Sequence, residues 1–429
     1  MQISEKYITI GTIHKTIIII VGRWKKMYIS RKGSQIKPSS TLAITAKAKE
    51  MQDEGVDIIG FGAGEPDCDT PSHIKQAAIQ AIEEGFTKYT PVAGTIELRK
   101  AICHQLQQDH GLIYAPNQIV ISNGAKHSLT NAFMAILNPG DEVIIPAPFW
   151  LSYPEMVGLA DGIPMIVYTK KENQYKLTPE ELENAITSRT KAIIINSPSN
   201  PTGMIYTKEE LQALVAVALK YDLYIISDEI YEKLIYDGAI HVSVPTLGAD
   251  VYEKTILING VSKSYSMTGW RIGYAAAHPK IASVMSNIQS HGSSNPNSIA
   301  QKAALAAYTG PQDCVEEMRR AFEERRNYMM ERIEQIPNIS AFKPRGAFYV
   351  LFDMSELIGI TYEGEIIHAA DDLARILLEK AQVAVVPCAD FGCPNHIRLS
   401  YAISMDNIKK GLDRIEALIK DLLFLDASV

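Results

Sequence analysis

The chain has 429 residues, 46% of them hydrophobic, and a formal charge of −7 at neutral pH. That length and apolar share suffice for a large core and two domains, and an acidic balance with no lysine-rich tract argues against nucleic acid as the main partner. The five cysteines, Cys68, Cys103, Cys314, Cys388 and Cys393, are odd in number and scattered, which suits a reducing cytoplasm rather than a disulfide framework.

In chain order, residues 1–26 read as an extension, either disordered or the product of an upstream start. Its apolar run at 16–21 follows His14 and Lys15 and precedes no small-residue cleavage site. It is too short to span a bilayer and makes a poor signal peptide, so no membrane contact is expected. Strand-like runs then occur at 58–61, 119–121, 142–145, 165–167, 192–195, 224–226, 256–258 and 272–275, alternating with helical periods such as 208–220. That alternation predicts an α/β fold with a mostly parallel sheet covered by helices. After Asn297 come a long helical segment, strand-like runs at 347–351, 383–386 and 397–400, and a final amphipathic helix. No internal repeat, low-complexity stretch or long linker interrupts this order.

Two local patterns compete with the main one. The glycine-rich stretch 60–64 is followed by Glu65-Pro66, so the spacing of a dinucleotide loop fails and the proline blocks a helix there. Cys388, Cys393 and His396 lie close together but fit no standard zinc spacing and lack a fourth ligand. No metal is expected.

In open α/β sheets ligands bind beyond the carboxyl ends of the strands. Here those ends carry Ser122-Asn123-Gly124-Ala125-Lys126, then Asn200 in Asn200-Pro201-Thr202-Gly203, then Asp228 with Tyr231, and then Ser262-Lys263 with Arg271 beyond. Taken singly, Lys263 is a surface charge, Asp228 a helix cap and Asn200 part of a turn. Together they meet the demands of pyridoxal phosphate. A lysine amine can capture its aldehyde, and a buried carboxylate, Asp228, can keep its ring nitrogen protonated. Tyr231 and Asn200 can donate to its phenolate oxygen. Ser262, Arg271 and the free backbone N–H groups at Gly124 and Ala125 can hold its phosphate.

With these motifs and Ile397-Arg398-Leu399-Ser400-Tyr401-Ala402, the chain resembles the class I aminotransferases of pyridoxal-phosphate fold type I, specifically the bacterial Ib subgroup of aspartate aminotransferases. The resemblance runs from about Met27 to the last helix. It implies a large seven-stranded domain at 67–308 and a smaller α+β domain built from both chain ends, 27–66 and 309–429. It also implies that Lys263 forms the Schiff base and shuttles the α-proton, with Asp228 and Tyr231 as its catalytic companions. Trp150 would stack on the cofactor ring, and Tyr89 would reach the phosphate of a neighbouring subunit in a homodimer. Arg398, the Gly64 backbone and Asn200 would bind the substrate, the first by clamping its α-carboxylate. In this subgroup the distal carboxylate falls to a lysine beside the phosphate loop, Lys126, and to the N-terminal segment, Ser39 or Thr41. Aspartate with 2-oxoglutarate, in ping-pong order, is therefore the implied pair of amino acid and 2-oxo acid. Prephenate or aromatic substrates, a lyase of the same fold and a pyridoxal-phosphate sensor are the alternatives. Cys388 and Cys68 depart from the family, which usually has glycine and phenylalanine there, and both lie near the implied substrate.

Overall fold

The computed structural model describes residues 28–36 and 40–426. The expected extension at 1–26 and Ser39 lie outside the described residues, as does the side chain of Thr41. Residues 1–37 and 38–429 form separate units. In the first, the short helix Arg31–Gln35 is capped by Ser30, whose Oγ accepts the N–H of Gly33 at 3.0 Å.

The strands of the second unit are β1 (Ile59–Gly60), β2 (Ile119–Ser122), β3 (Glu142–Ala147), β4 (Ile163–Tyr168), β5 (Thr190–Asn196), β6 (Tyr224–Asp228), β7 (Thr255–Gly260), β8 (Gly273–Ala276), β9 (Tyr349–Asp353), β10 (Thr361–Tyr362), β11 (Glu365–Ile366), β12 (Val383–Ala384), β13 (Val386–Pro387) and β14 (His396–Ser400). A seven-stranded sheet runs in the order β2-β8-β7-β6-β5-β3-β4. Only β8 is antiparallel to its neighbours. Its apolar runs are continuous because helices cover both faces. Successive residues serve opposite sides: Val143 and Ile145 join the core that holds Phe133 and Tyr153, and Ile144 joins the one that holds Leu211 and Leu214. The helix Lys208–Lys220 forms where its period predicts, started by a reciprocal Thr207–Glu210 capping box.

Three expected elements differ. The run at 58–61 contributes only β1, which pairs in parallel with β12 and lies outside the large sheet. Phe61 explains the placement: a Cβ on Gly411 of the last helix would stand 2.3 Å from the Phe61 ring, so the early strand is wedged against the C-terminal helix. The helical segment after Asn297 is two helices, Ser298–Thr309 and Asp313–Ile333, broken at Gly310-Pro311. The run at 383–386 divides between β12 and β13.

The three-stranded antiparallel sheet β13-β14-β9 and the helices Asp313–Ile333, Ala370–Ala381 and Met405–Asp426 enclose a core that also takes in Ile59 and Phe61. This sheet delivers Arg398, on β14, toward the carboxyl ends of β5, β6 and β7.

Candidate active site

A cavity of about 410 Å³ opens where those strands end, within the range of a small-molecule site. Gly64, Ala125, Lys126, Trp150, Asn200, Asp228, Tyr231, Ser262, Lys263, Arg271 and Arg398, all expected from the sequence, line it. Tyr89 does not: its side chain stands 90% exposed on the surface. Gly124 adjoins the cavity through Ala125 and Arg271, but its N–H, expected to be free, already donates to the Ser122 carbonyl at 2.7 Å, so the open N–H groups at this helix start are those of Ala125 and Lys126.

Asp228 ends β6 and is buried. Its Oδ2 accepts from the Tyr153 hydroxyl at 2.7 Å, and its Oδ1 from the N–H of Ile230 at 3.3 Å. Burial still prevails over these bonds and lifts the carboxyl to about 6. Beyond β7, Lys263 reaches back so that its Nζ donates to the Gly64 carbonyl at 2.5 Å. Burial is the main cause that lowers its amine to about 8; Arg398 and Arg271 add to this, and Glu65 and Asp228 oppose it.

Glycine geometry builds an anion cradle at the start of the helix Ala125–Ile136. Gly124 sits at φ +85°, and a Cβ there would lie 2.2 Å from Arg271 Nη2. Arg271, itself left-handed at φ 57°, folds back to donate to the carbonyls of Thr268 at 2.9 Å and Asn123 at 3.3 Å. The close approach of Gly273, where a Cβ would meet the Ala125 nitrogen at 2.2 Å, seats the helix start against β8. Helix N-terminal N–H groups, a guanidinium and the buried Ser262 hydroxyl thus converge, as an anion requires.

Arg398 is buried against the rings of Tyr349, 4.4 Å from its centroid, and Phe391, at 5.3 Å. Its Nη1 donates to Asn200 Oδ1 at 3.1 Å and its Nη2 to the Gly62 carbonyl at 3.2 Å, while Nε has no partner. Among the described residues no carboxylate pairs with it. A desolvated guanidinium left in that state is an anion receptor. Lys126 stands 4.8 Å from the Trp150 ring centroid, its amine lowered by burial and by Arg271.

Sequence reading missed Tyr153 and Tyr349. Tyr153 lies at the start of the helix Ser152–Leu159, three residues after Trp150, and the two rings meet edge to face at 5.4 Å. Tyr349, on β9, shares a 3.1 Å hydroxyl contact with Tyr231 and lies under Arg398. Inside an apolar run it looks like core, and only the pairing of β9 with β14 shows otherwise.

The model of the family described as aminotransferase class I and II matches residues 56–415. An aspartate aminotransferase of Bacillus sp. (strain YM-2) is 50% identical over 395 residues, covering 92% of this chain and 100% of that protein. An aspartate/prephenate aminotransferase of Nitrosomonas europaea is 47% identical over 396 residues, covering 92% and 100%. Among solved structures, the aspartate aminotransferase from Thermus thermophilus with maleate superposes with a TM-score of 0.86 at 43% identity, covering 91% of this chain and 100% of that one.

Proposed function

Because the chain belongs to the class I and II aminotransferases, we propose that it transfers the amino group of aspartate to 2-oxoglutarate, using pyridoxal phosphate held in this cavity. The carrying observation is that Lys263, Asp228 and two cationic groups, Arg398 and Lys126, line one cavity. The residues fit the cofactor: the Gly124–Arg271 cradle leaves helix N–H groups for a phosphate, and the unpartnered Arg398 Nε awaits an anion.

When bound, pyridoxal phosphate supplies an aldehyde that captures amino groups and a ring that takes up the electrons of a broken Cα–H bond. Ser262, Arg271 and the N–H groups of Ala125 and Lys126 would hold the phosphate. Asp228, a carboxylate above pH 6 whose burial makes it unusually basic, would keep a proton on the ring nitrogen. Tyr231 and the amide of Asn200 would donate to the cofactor's phenolate oxygen, and Trp150 would pack against the cofactor. Arg398 grips the substrate α-carboxylate and so fixes which bond at Cα is broken. Lys263, with an amine near 8, is partly neutral at neutral pH and would hold the proton taken from the substrate Cα. Lys126 faces the distal carboxylate, which selects a dicarboxylic substrate. Prephenate, also a dicarboxylate, is the second reading, favoured by the names of several relatives.

The proposal includes a homodimer in which Tyr89 serves the neighbouring site, supported by its near-complete exposure and distance from its own cavity. It also includes a smaller domain formed by both chain ends, supported by their shared core. No described helix is long and apolar enough to cross a membrane, and the scattered free thiols support a cytoplasmic location. The test is a half-reaction. Aspartate added without a keto acid should release oxaloacetate stoichiometrically with bound cofactor and change the cofactor's absorbance. A lyase would release a different product, and a sensor would release none.

A further inference from the structure

The segment 84–95, which carries Tyr89, contains no helix or strand. Besides its own turns, it is held by side chains from two helices, Pro279–Gly292 and Ser298–Thr309. Ser298 Oγ donates to the Phe86 carbonyl at 2.8 Å, and Gln301 Nε2 donates to Thr90 Oγ1 at 3.0 Å while its Oε1 accepts the N–H of Thr95 at 2.8 Å. The most connected of these groups is Gln289, which is fully buried. Its Nε2 donates to the carbonyls of Val92 and Ile121, both at 2.8 Å. Its Oε1 accepts from Ser122 Oγ at 2.6 Å and from Asn131 Nδ2 at 3.0 Å.

Every donor and acceptor of that amide is therefore used, and its partners belong to two different structures. Ile121 and Ser122 are the end of β2 that leads into the Gly124 cradle, and Asn131 lies on the helix that the cradle starts. Val92 is in the Tyr89 segment, which touches β2 again where Ile121 N–H donates to the Ala93 carbonyl at 3.1 Å. We propose that Gln289 is a positioning residue that fixes with one amide both the phosphate cradle of its own chain and the loop presenting Tyr89 to a second copy. Placement of the two halves of the phosphate site is then a single event. A buried amide so fully satisfied is costly to replace, because any apolar substitute strands two carbonyls and a hydroxyl. This inference rests on the reading of the cavity as a phosphate site.

The test compares Gln289→Met, Gln301→Met and the unmodified protein by pyridoxal phosphate titration of the apoprotein and by amide hydrogen exchange. Gln289→Met should weaken cofactor binding about tenfold and speed exchange both at 88–94 and at 124–128. Gln301→Met should speed exchange at 88–95 only. Gln289→Glu places a carboxylate against two carbonyls, so its affinity relative to the unmodified protein should recover as pH falls and the side chain gains a proton. If Gln289→Met binds the cofactor normally, or exchange rises at only one of the two segments, the shared-anchor proposal is wrong. If the unmodified protein itself binds no pyridoxal phosphate, the cavity reading is what fails.

Discussion

Arg398 and Asp228 show how single side chains convert burial into chemistry. The Arg398 fork is held by Asn200, the Gly62 carbonyl and two aromatic rings before any ligand arrives, so a carboxylate meets a donor pair already aligned. Lysine keeps the charge and loses the fork. Arg398→Lys should bind pyridoxal phosphate normally and lose on the order of a hundredfold in kcat/KM; near-normal turnover would remove the clamp role. Asp228 is the opposite case, a carboxyl whose charged form its site disfavours. Its folded value of about 6 lies above the unfolded one, so the folded state binds this proton more tightly. The resulting stability is fully present below the unfolded value and is lost as pH rises through 6. Asp228→Asn does not titrate. Between pH 5 and pH 8 the stability of the apoprotein should therefore move in the variant's favour by roughly 1 to 1.5 kcal/mol. Urea unfolding of both proteins at the two pH values reads this directly, and an unchanged difference contradicts the burial argument.

At the scale of elements, the site depends on how closely one helix start approaches one strand. Gly273 permits the approach, since an added Cβ would meet backbone atoms of Gly124 and Ala125 that cannot rotate away. Gly273→Ala should cost roughly 2 kcal/mol or more of stability and weaken phosphate binding beyond what the loss of stability explains. Gly269→Ala, with nothing within 4 Å of its Cβ, is the matched control and should leave the melting temperature unchanged. Apart from β8, which is Gly-Tyr-Ala-Ala, the sheet strands were legible because they are short runs rich in β-branched residues, and the site side chains follow the ends of β2, β5, β6 and β7. The run at 58–61 has the same local pattern, yet it pairs with β12, because its partner is chosen by Phe61 packing on a helix some 350 residues later in the chain, judged by the Gly411 contact. Gln289 was invisible for a related reason. A glutamine on an amphipathic helix reads as surface, and only the convergence of β2, the 84–95 segment and that helix makes it a fully bonded core group.

At the scale of the whole molecule, the proposed dimer would divide the site between subunits through Tyr89. Its side chain is outside its own cavity, and the loop beneath it is held by Gln289, Gln301 and Ser298 rather than left loose. A single exposed aromatic is ordinary on an isolated chain, whereas across the two-fold axis of the proposed dimer a rigidly supported one would complete a partner's site and receive the same service in return. Complementation tests that reciprocity. Lys263→Ala removes the amine and leaves Tyr89 intact, and Tyr89→Ala does the reverse, so each pure dimer should be dead or impaired. Unfolding and refolding a one-to-one mixture should restore about a quarter of the sites, those pairing an intact Lys263 with an intact partner tyrosine. Sedimentation should show dimers throughout. A mixture no more active than the average of its parents, or an active monomer, would place Tyr89 outside the chemistry and leave each chain to work with its own residues alone.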